Sequence, residues 1–466
     1  VRFPYWRAQF GRNGQEIKQL ICNVQPIAGA RLRQQCRNFR WASVALTQQF
    51  PLEECWQVPE TAREALYSLS EELHISLAEF PSKPSACGSE LIDTANGSYV
   101  SIRRDPRLNA LLPVLLLATY FTASFVLRLL RGGDLASDEA QQVAFSHALQ
   151  LGYGNQPPLY NWLFYCFSRL FGVSVATLAF VKNATLLASC IFLGLAARKI
   201  VTERETAWIS VLGFLSLPAV FLLSQRDLTH SVGAFAVVAL FLYVLVLMAE
   251  RPSTGSYALL GAVAGMGFLA KYNFVIIPFA TAVALLLEPG LRRLVLNWRL
   301  AITIAVGLIV AGPHVYWAIT HLDAATGNTL MEMRAAARST IPSQLNAAWQ
   351  LVASIIKCSA LTLAIFAAAY RGHIRTIFGA SSVWTRVIGR MLVISMILVF
   401  VIMLALDATL MRPKWISIFF VAFPLYLALK VDAAGIRVPD AITRITMLVG
   451  TVIFISLGVV FAGSFH

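Results

Sequence analysis

The stretch Gly132-Gly133-Asp134-Leu135-Ala136-Ser137-Asp138-Glu139-Ala140-Gln141, running on to Gly152-Tyr153-Gly154-Asn155-Gln156-Pro157-Pro158-Leu159-Tyr160, decides how this chain is read. It follows the first strongly apolar segment, where that segment should leave a bilayer. It sets Asp134, Asp138 and Glu139 within six residues, in a chain where Asp and Glu total only 24 of 466. Charge clustered beside a membrane span is costly and is usually kept for a function.

The surroundings of that stretch are apolar throughout. The chain is 57% hydrophobic and 13% charged, with a mean hydropathy of +0.66. Soluble domains run near 45–50% apolar and about 25% charged. Blocks rich in Leu, Ala, Val, Ile and Phe, most of them near the ~20 residues that cross a hydrocarbon core, indicate an all-α polytopic membrane protein. The ten-residue alternating segments of an outer-membrane barrel do not stand out. The blocks lie at 108–130, 173–197, 206–223, 231–249, 256–270, 273–288, 300–319, 351–370, 391–408, 415–430 and 445–463, an expectation of about eleven spans. Segments 139–150 and 157–172, the second opened by Pro157-Pro158 and interrupted by Arg169, read as short helices lying at the interface.

Residues 1–104 are mixed and polar, hold four of the seven cysteines and contain no spanning block. One helix is expected near Pro59–Leu77, where Ala62, Ala65, Leu66, Leu69, Leu73 and Leu77 recur at helical spacing. The rest reads as a poorly ordered tail preceding a membrane domain at 105–466. The non-Met first residue, Val1, allows the alternative that this tail is an artefactual extension, read through noncoding sequence. The cysteines lack CxxC spacing and indicate neither a zinc site nor a disulfide framework.

The net charge of +14 belongs to basic cytoplasmic loops beside anionic lipid rather than to nucleic-acid binding. With Arg103, Arg104 and Arg107 in the cytoplasm, the same side receives Arg198, Lys199, Arg204, Arg251, Arg292, Arg293, Arg299, Arg371, Arg375, Arg386, Arg390, Lys430, Arg437 and Arg444. The outer side keeps far fewer: Arg131, Arg226, Lys271, Arg334, Arg338, Arg412 and Lys414. That asymmetry orients the N-terminus inward. It also puts every unusual polar loop outside: the Asp138 loop; Gln225-Arg226-Asp227-Leu228-Thr229-His230; Lys271-Tyr272-Asn273; His321-Leu322-Asp323 onward; and Asp407 with Met411-Arg412-Pro413-Lys414-Trp415.

Acids facing Arg and Lys at a membrane surface suit transfer from a lipid phosphate. The cations hold the phosphate, and a carboxylate within hydrogen-bond reach takes the proton of an attacking hydroxyl. Asp138, Glu139 and Asp227 are the candidate catalytic carboxylates. Lys271, Arg412 and Lys414 are the candidates on the donor-phosphate side; Tyr272 and Gln156 join them only through the likeness of their motifs to a known family.

Structural roles compete for most of these. Ser137 or Asp138 could cap the helix that follows, with Glu139 at its positive end. Arg226 and Asp227 could pair with each other, Lys271 could snorkel, and Arg412 and Lys414 beside Trp415 fit an interfacial anchor. Lys182, inside an apolar block, could snorkel or face the cavity. His314 and His321 mark a helix end more readily than a metal site. A divalent cation such as Mg or Mn stays open, since a carboxylate cluster would suit one.

Asp138-Glu139-Ala140-Gln141, Gly152-Tyr153 and Gln156-Pro157-Pro158-Leu159-Tyr160-Asn161-Trp162-Leu163 resemble the first outer loop of glycosyltransferase family 39 and its relatives. These include the protein mannosyltransferases, the aminoarabinose transferases and, closest in look, the rhizobial lipopolysaccharide galacturonosyltransferases. Leu269-Ala270-Lys271-Tyr272 is similar to another motif of the family, and the likeness covers about 105–430. It implies the GT-C membrane fold and inverting transfer from a polyprenyl-phosphate sugar. The acceptor would be lipid A, lipopolysaccharide core, another glycolipid or a protein, with the active site facing the periplasm across a bacterial inner membrane. It also implies that Asp138 is the catalytic carboxylate and that Asp227 stands where relatives often carry a second acid. Several relatives carry Lys or His before the Pro-Pro pair, where this chain has Gln156; the phosphate role then passes to Lys271, Arg412 or Lys414. A transporter or lipid flippase is the alternative, disfavoured because no internal repeat is visible and the acids sit at a rim rather than mid-span.

Overall fold

The computed structural model describes residues 106–132, 135–227, 229–334, 343–438 and 440–462. The expected tail, its helix near Pro59–Leu77, four of the cysteines, Asp134 and Arg338 lie outside them. Among the described residues every regular element is helical.

The path runs α1 (Pro106–Leu130), α2 (Ser137–Phe145), α3 (Leu159–Phe171), α4 (Val175–Ile200), α5 (Ala207–Leu215), α6 (Thr229–Glu250), α7 (Thr254–Ala270) and α8 (Ile276–Leu286). It continues through α9 (Leu300–Thr320), α10 (Ser343–Ala369), α11 (Val383–Ala405), α12 (Phe423–Ala434) and α13 (Ala441–Ala462). Short helical turns fill several of the junctions.

Among the described residues seven helices are long and apolar enough to cross a membrane: α1, α4, α6, α9, α10, α11 and α13. An eighth crossing is broken, Arg204–Leu215 followed by Ala219–Arg226 at 55°. By length and composition seven or eight crossings stand out among the described residues, and the expected count of about eleven is not confirmed. The blocks at 256–270, 273–288 and 415–430 are helical, but α7 and Tyr272–Leu286 are shorter pieces, and the last is divided into Pro413–Ile416, Phe419–Ala422 and α12. Hydropathy registers an apolar block without registering its breaks. Two of these breaks carry polar residues that meet the first outer loop.

The break after α5 has a physical cause. Pro218 cannot continue an α-helical hydrogen-bond ladder, and the chain resumes as a π-helical turn over Ala219–Leu223, a form often found at functional sites. It delivers Asp227 in extended backbone just ahead of α6. Helices α4 and α6, buried along most of their length, form the centre, with α1 and α13 packed together alongside. Helices α7 and α9 approach through glycine: a Cβ at Gly261 would lie 2.3 Å from the Thr303 carbonyl oxygen, and one at Gly265 2.7 Å from that of Gly307. Small residues four apart allow such close contact where lipid supplies no hydrophobic drive.

Candidate active site

The first outer loop is built by its own motif residues. The Tyr153 hydroxyl donates to the Ala148 carbonyl (2.8 Å) and accepts the Gln150 N–H (2.9 Å). Trp162 Nε1 donates to the Gln150 carbonyl at 2.8 Å. Gly152 faces the indole of Trp317 on α9, so closely that a Cβ there would overlap the ring at 2.1 Å. Beyond Pro158, Tyr160 is fully buried against Gly233 and beside His230 on α6. The Gly-Tyr and Pro-Pro-Leu-Tyr portions of the stretch thus fix the loop onto α6 and α9.

Helix α2 is capped at Ala136, so the competing role of Ser137 or Asp138 as its cap does not apply; Glu139 reaches back to accept the Ala136 N–H at 3.3 Å. Its carboxylate is 2% exposed and lies between two buried cations, Arg128 Nη2 at 2.7 Å and Lys182 Nζ at 3.1 Å. Burial alone would raise the Glu139 carboxyl, but the Arg128 hydrogen bond and the Lys182 charge outweigh it and bring it down to about 2. Lys182 therefore neither snorkels nor faces an open cavity. Breaking such a group by removing one partner costs about 3–5 kcal/mol. The triad ties α2 to α1 and α4.

One residue earlier, Asp138 is half-buried and meets the second acidic loop. Its backbone N–H donates to Asp227 Oδ1 at 3.1 Å, and its own Oδ2 accepts the Thr229 N–H at 3.2 Å. Two loops 89 residues apart in sequence are joined here by reciprocal contacts. Beneath them, the buried Gln142 amide lies 3.2 Å from Asn161 Oδ1 and 3.0 Å from His230 Nε2.

Lys271 stands in the break between α7 and α8, outside either helix. Its ammonium donates to Ser231 Oγ and to the Lys414 carbonyl, both at 2.8 Å. Burial and the nearby Lys414 charge pull it down to about 7, with Asp138 acting in the opposite sense. Asn273 donates to the Trp415 carbonyl at 2.6 Å, tying this break to the one at Pro413. Asp138, Asp227, Lys271 and Lys414 thus share one neighbourhood.

The other candidates stand differently. The Tyr272 hydroxyl pairs with His314 Nε2 at 3.0 Å, and His314 Nδ1 lies 2.6 Å from the Leu151 carbonyl, so Tyr272 braces the loop. Arg412 is half-exposed, paired with Glu332 at 3.1 Å and laid over Trp415. Gln156 is half-buried and makes no side-chain hydrogen bond among the described residues. Asp323 and Asp407 are exposed, and Asp407 occupies a left-handed turn position (φ 51°).

Arg128, Gln142, Asn161 and His230 complete the surroundings and were not marked as site residues by the sequence pattern. Arg128 carried a usable signal, an ionisable residue in the last turn of a span; His230 and Asn161 lay inside a polar loop and a motif without being singled out, and Gln142 carried no signal. Among the described residues no group of three or more His, Cys, Asp and Glu is arranged to hold a metal ion. Asp227 and Asp138 each accept one backbone N–H.

Among solved structures the chain resembles ArnT from Cupriavidus metallidurans bound to undecaprenyl phosphate, with a TM-score of 0.50 and 18% identity. The match covers 68% of this chain and 60% of that one, and it shows a GT-C membrane fold. Residues 155–317 match the family described as dolichyl-phosphate-mannose-protein mannosyltransferase. The chain is 36% identical to the lipopolysaccharide core galacturonosyltransferase RgtB of Rhizobium johnstonii over 338 residues, 72% of this chain and 68% of the relative. It is 34% identical to RgtA of the same organism, described in the same words, over 71% of this chain and 66% of that relative. The chain belongs to this family and is a multi-pass bacterial membrane glycosyltransferase. These relatives give the transporter alternative no support.

Proposed function

We propose that the protein transfers a galacturonosyl group from a polyprenyl-phosphate donor to a lipopolysaccharide acceptor on the periplasmic face of the inner membrane. The sugar and acceptor follow those of the relatives at 34–36% identity, and the donor follows the lipid phosphate of the ArnT structure. The orientation rests on the loop-charge asymmetry.

Asp138 is the general base. It takes the proton of the acceptor hydroxyl as that oxygen bonds to the anomeric carbon. The bond from that carbon to the phosphate oxygen breaks, and the phosphate leaves with the electron pair. Lys271, with a third N–H beyond its two bonds, and Lys414 meet the negative charge of the phosphate. Asp227 holds the Asp138 backbone in place. Glu139 is a positioning group, locked between Arg128 and Lys182. Arg412 and Gln156 stand at the periphery.

One observation carries this reading: the reciprocal contacts of Asp138 with Asp227 and Thr229, beside Lys271. Mass spectrometry of envelope glycolipids from a deletion strain tests it. The expected result is loss of one hexuronic acid residue, restored by the wild-type gene and not by Asp138→Asn. An unchanged glycolipid profile contradicts it.

A further inference from the structure

At the far end of the bundle from Asp138, the C-terminal end of α8, the start of α11 and the end of α12 enclose an open groove of about 390 Å³. Lys430 on α12 lies 16 residues beyond Lys414, roughly 24 Å if helical throughout. Arg386 and Arg390, four apart on α11, share one helix face.

A buried Glu288 holds both guanidinium groups. Arg386 donates to it at 2.9 and 2.6 Å, and Arg390 Nη1 at 3.1 Å while also reaching the Leu287 carbonyl at 3.0 Å. Lys430 is fixed by the Phe378 and Ala380 carbonyls (2.9 and 2.7 Å) and lies over the Tyr426 ring. Three cations against one carboxylate leave the groove positive. Arg390 Nε and Nη2 have no partner among the described residues, and the Ser381 and Thr385 hydroxyls line the same space.

The face of α11 that carries the arginines continues as Val393, Ile397 and Val401, which are 59%, 55% and 53% exposed. From Arg390 to Val401 is 11 residues, about 16 Å of helix, close to half of a ~30 Å hydrocarbon core. The stripe is a lipid-facing track one leaflet deep, headed by guanidinium groups.

We infer that this groove binds an anionic phospholipid, with its phosphate on Arg390 and Arg386 and an acyl chain along Val393, Ile397 and Val401. Arg forks match phosphate oxygens, and basic pockets between helices on the cytoplasmic side suit such headgroups. A free phosphate would use the same donors but has no use for the apolar track.

The test is native mass spectrometry of the purified protein taken from bilayers of phosphatidylcholine mixed with phosphatidylglycerol or cardiolipin. The wild type is expected to retain one anionic phospholipid in preference to phosphatidylcholine. Arg390→Gln, which leaves the Arg386–Glu288 pair intact, is expected to lower that retention about tenfold. Glu288→Gln frees both guanidinium groups and is expected to raise retention, which a purely structural ion cluster would not do. Excess inorganic phosphate should leave the lipid in place. Equal retention of phosphatidylcholine, unchanged retention in both variants with folding verified by melting, or displacement by inorganic phosphate overturns the inference.

Discussion

Asp138 and Glu139 share a peptide bond and stand in opposite environments. Successive positions on a helix point about 100° apart. Glu139 therefore turns inward between Arg128 and Lys182, while Asp138 stays half-exposed against the Asp227 loop. The difference separates a carboxylate with its charge already neutralised from one beside a lysine that it can still influence. A base must exchange a proton during turnover, and a carboxyl held at about 2 by two cations is a poor recipient at neutral pH. In the proposed reaction the neighbouring pair divides chemistry from support.

The largest expected effect falls on the exposed member. Asp138→Asn should lower kcat by about 10²–10⁴-fold, measured in reconstituted membranes, with the melting temperature unchanged. Glu139→Gln should act on stability instead. It leaves two buried cations without a counter-charge and should cost about 3–5 kcal/mol, read as lost melting temperature and inserted yield. The pH dependence has the matching sign. The Glu139 carboxyl lies below its ordinary value of 4.5. Its contribution is therefore full above that value and is lost as pH falls toward 2. The variant's deficit should shrink over that window, and a constant deficit would count against the triad.

Smaller effects sharpen the donor side. Lys271→Ala should weaken donor binding by about 10–100-fold, the worth of a charged hydrogen bond, with little change in acceptor binding. Because Lys271 is drawn down to about 7, donor affinity in the wild type should fall as pH rises through 7, and this slope should vanish in the variant. Arg412→Ala should change donor affinity least, by about 1 kcal/mol or less, since its pair with Glu332 is half-exposed. An Arg412 effect exceeding that of Lys271 would reverse the assignment of the phosphate site.

Much of this is legible in the sequence. Composition and block length identified an all-helical membrane fold, and the spacing of 138–163 carried the family. Charge topology grouped five polar loops; those of Asp138, Asp227, Lys271 and Lys414 meet, while Asp323 and Asp407 stand exposed. What escaped is what depends on where helices break and which way they face. The apolar blocks after Arg204 and around Lys271 and Pro413 are interrupted, so hydropathy alone does not separate whole spans from broken ones, and seven or eight long spans stand out among the described residues. The two cations that enclose Glu139 lie 11 and 43 residues away on other helices, beyond what spacing along the chain can pair. Gln142, Asn161 and His230 converge only in three dimensions.

Turnover per folded molecule, measured for Asp138→Asn and Glu139→Gln in the same lipid, tests the central claim most directly. The division of roles predicts that Asp138→Asn folds normally and loses turnover. The folded fraction of Glu139→Gln, though smaller, should keep most of its own. Wild-type turnover in Asp138→Asn, or an equal loss per folded molecule in both, would contradict it.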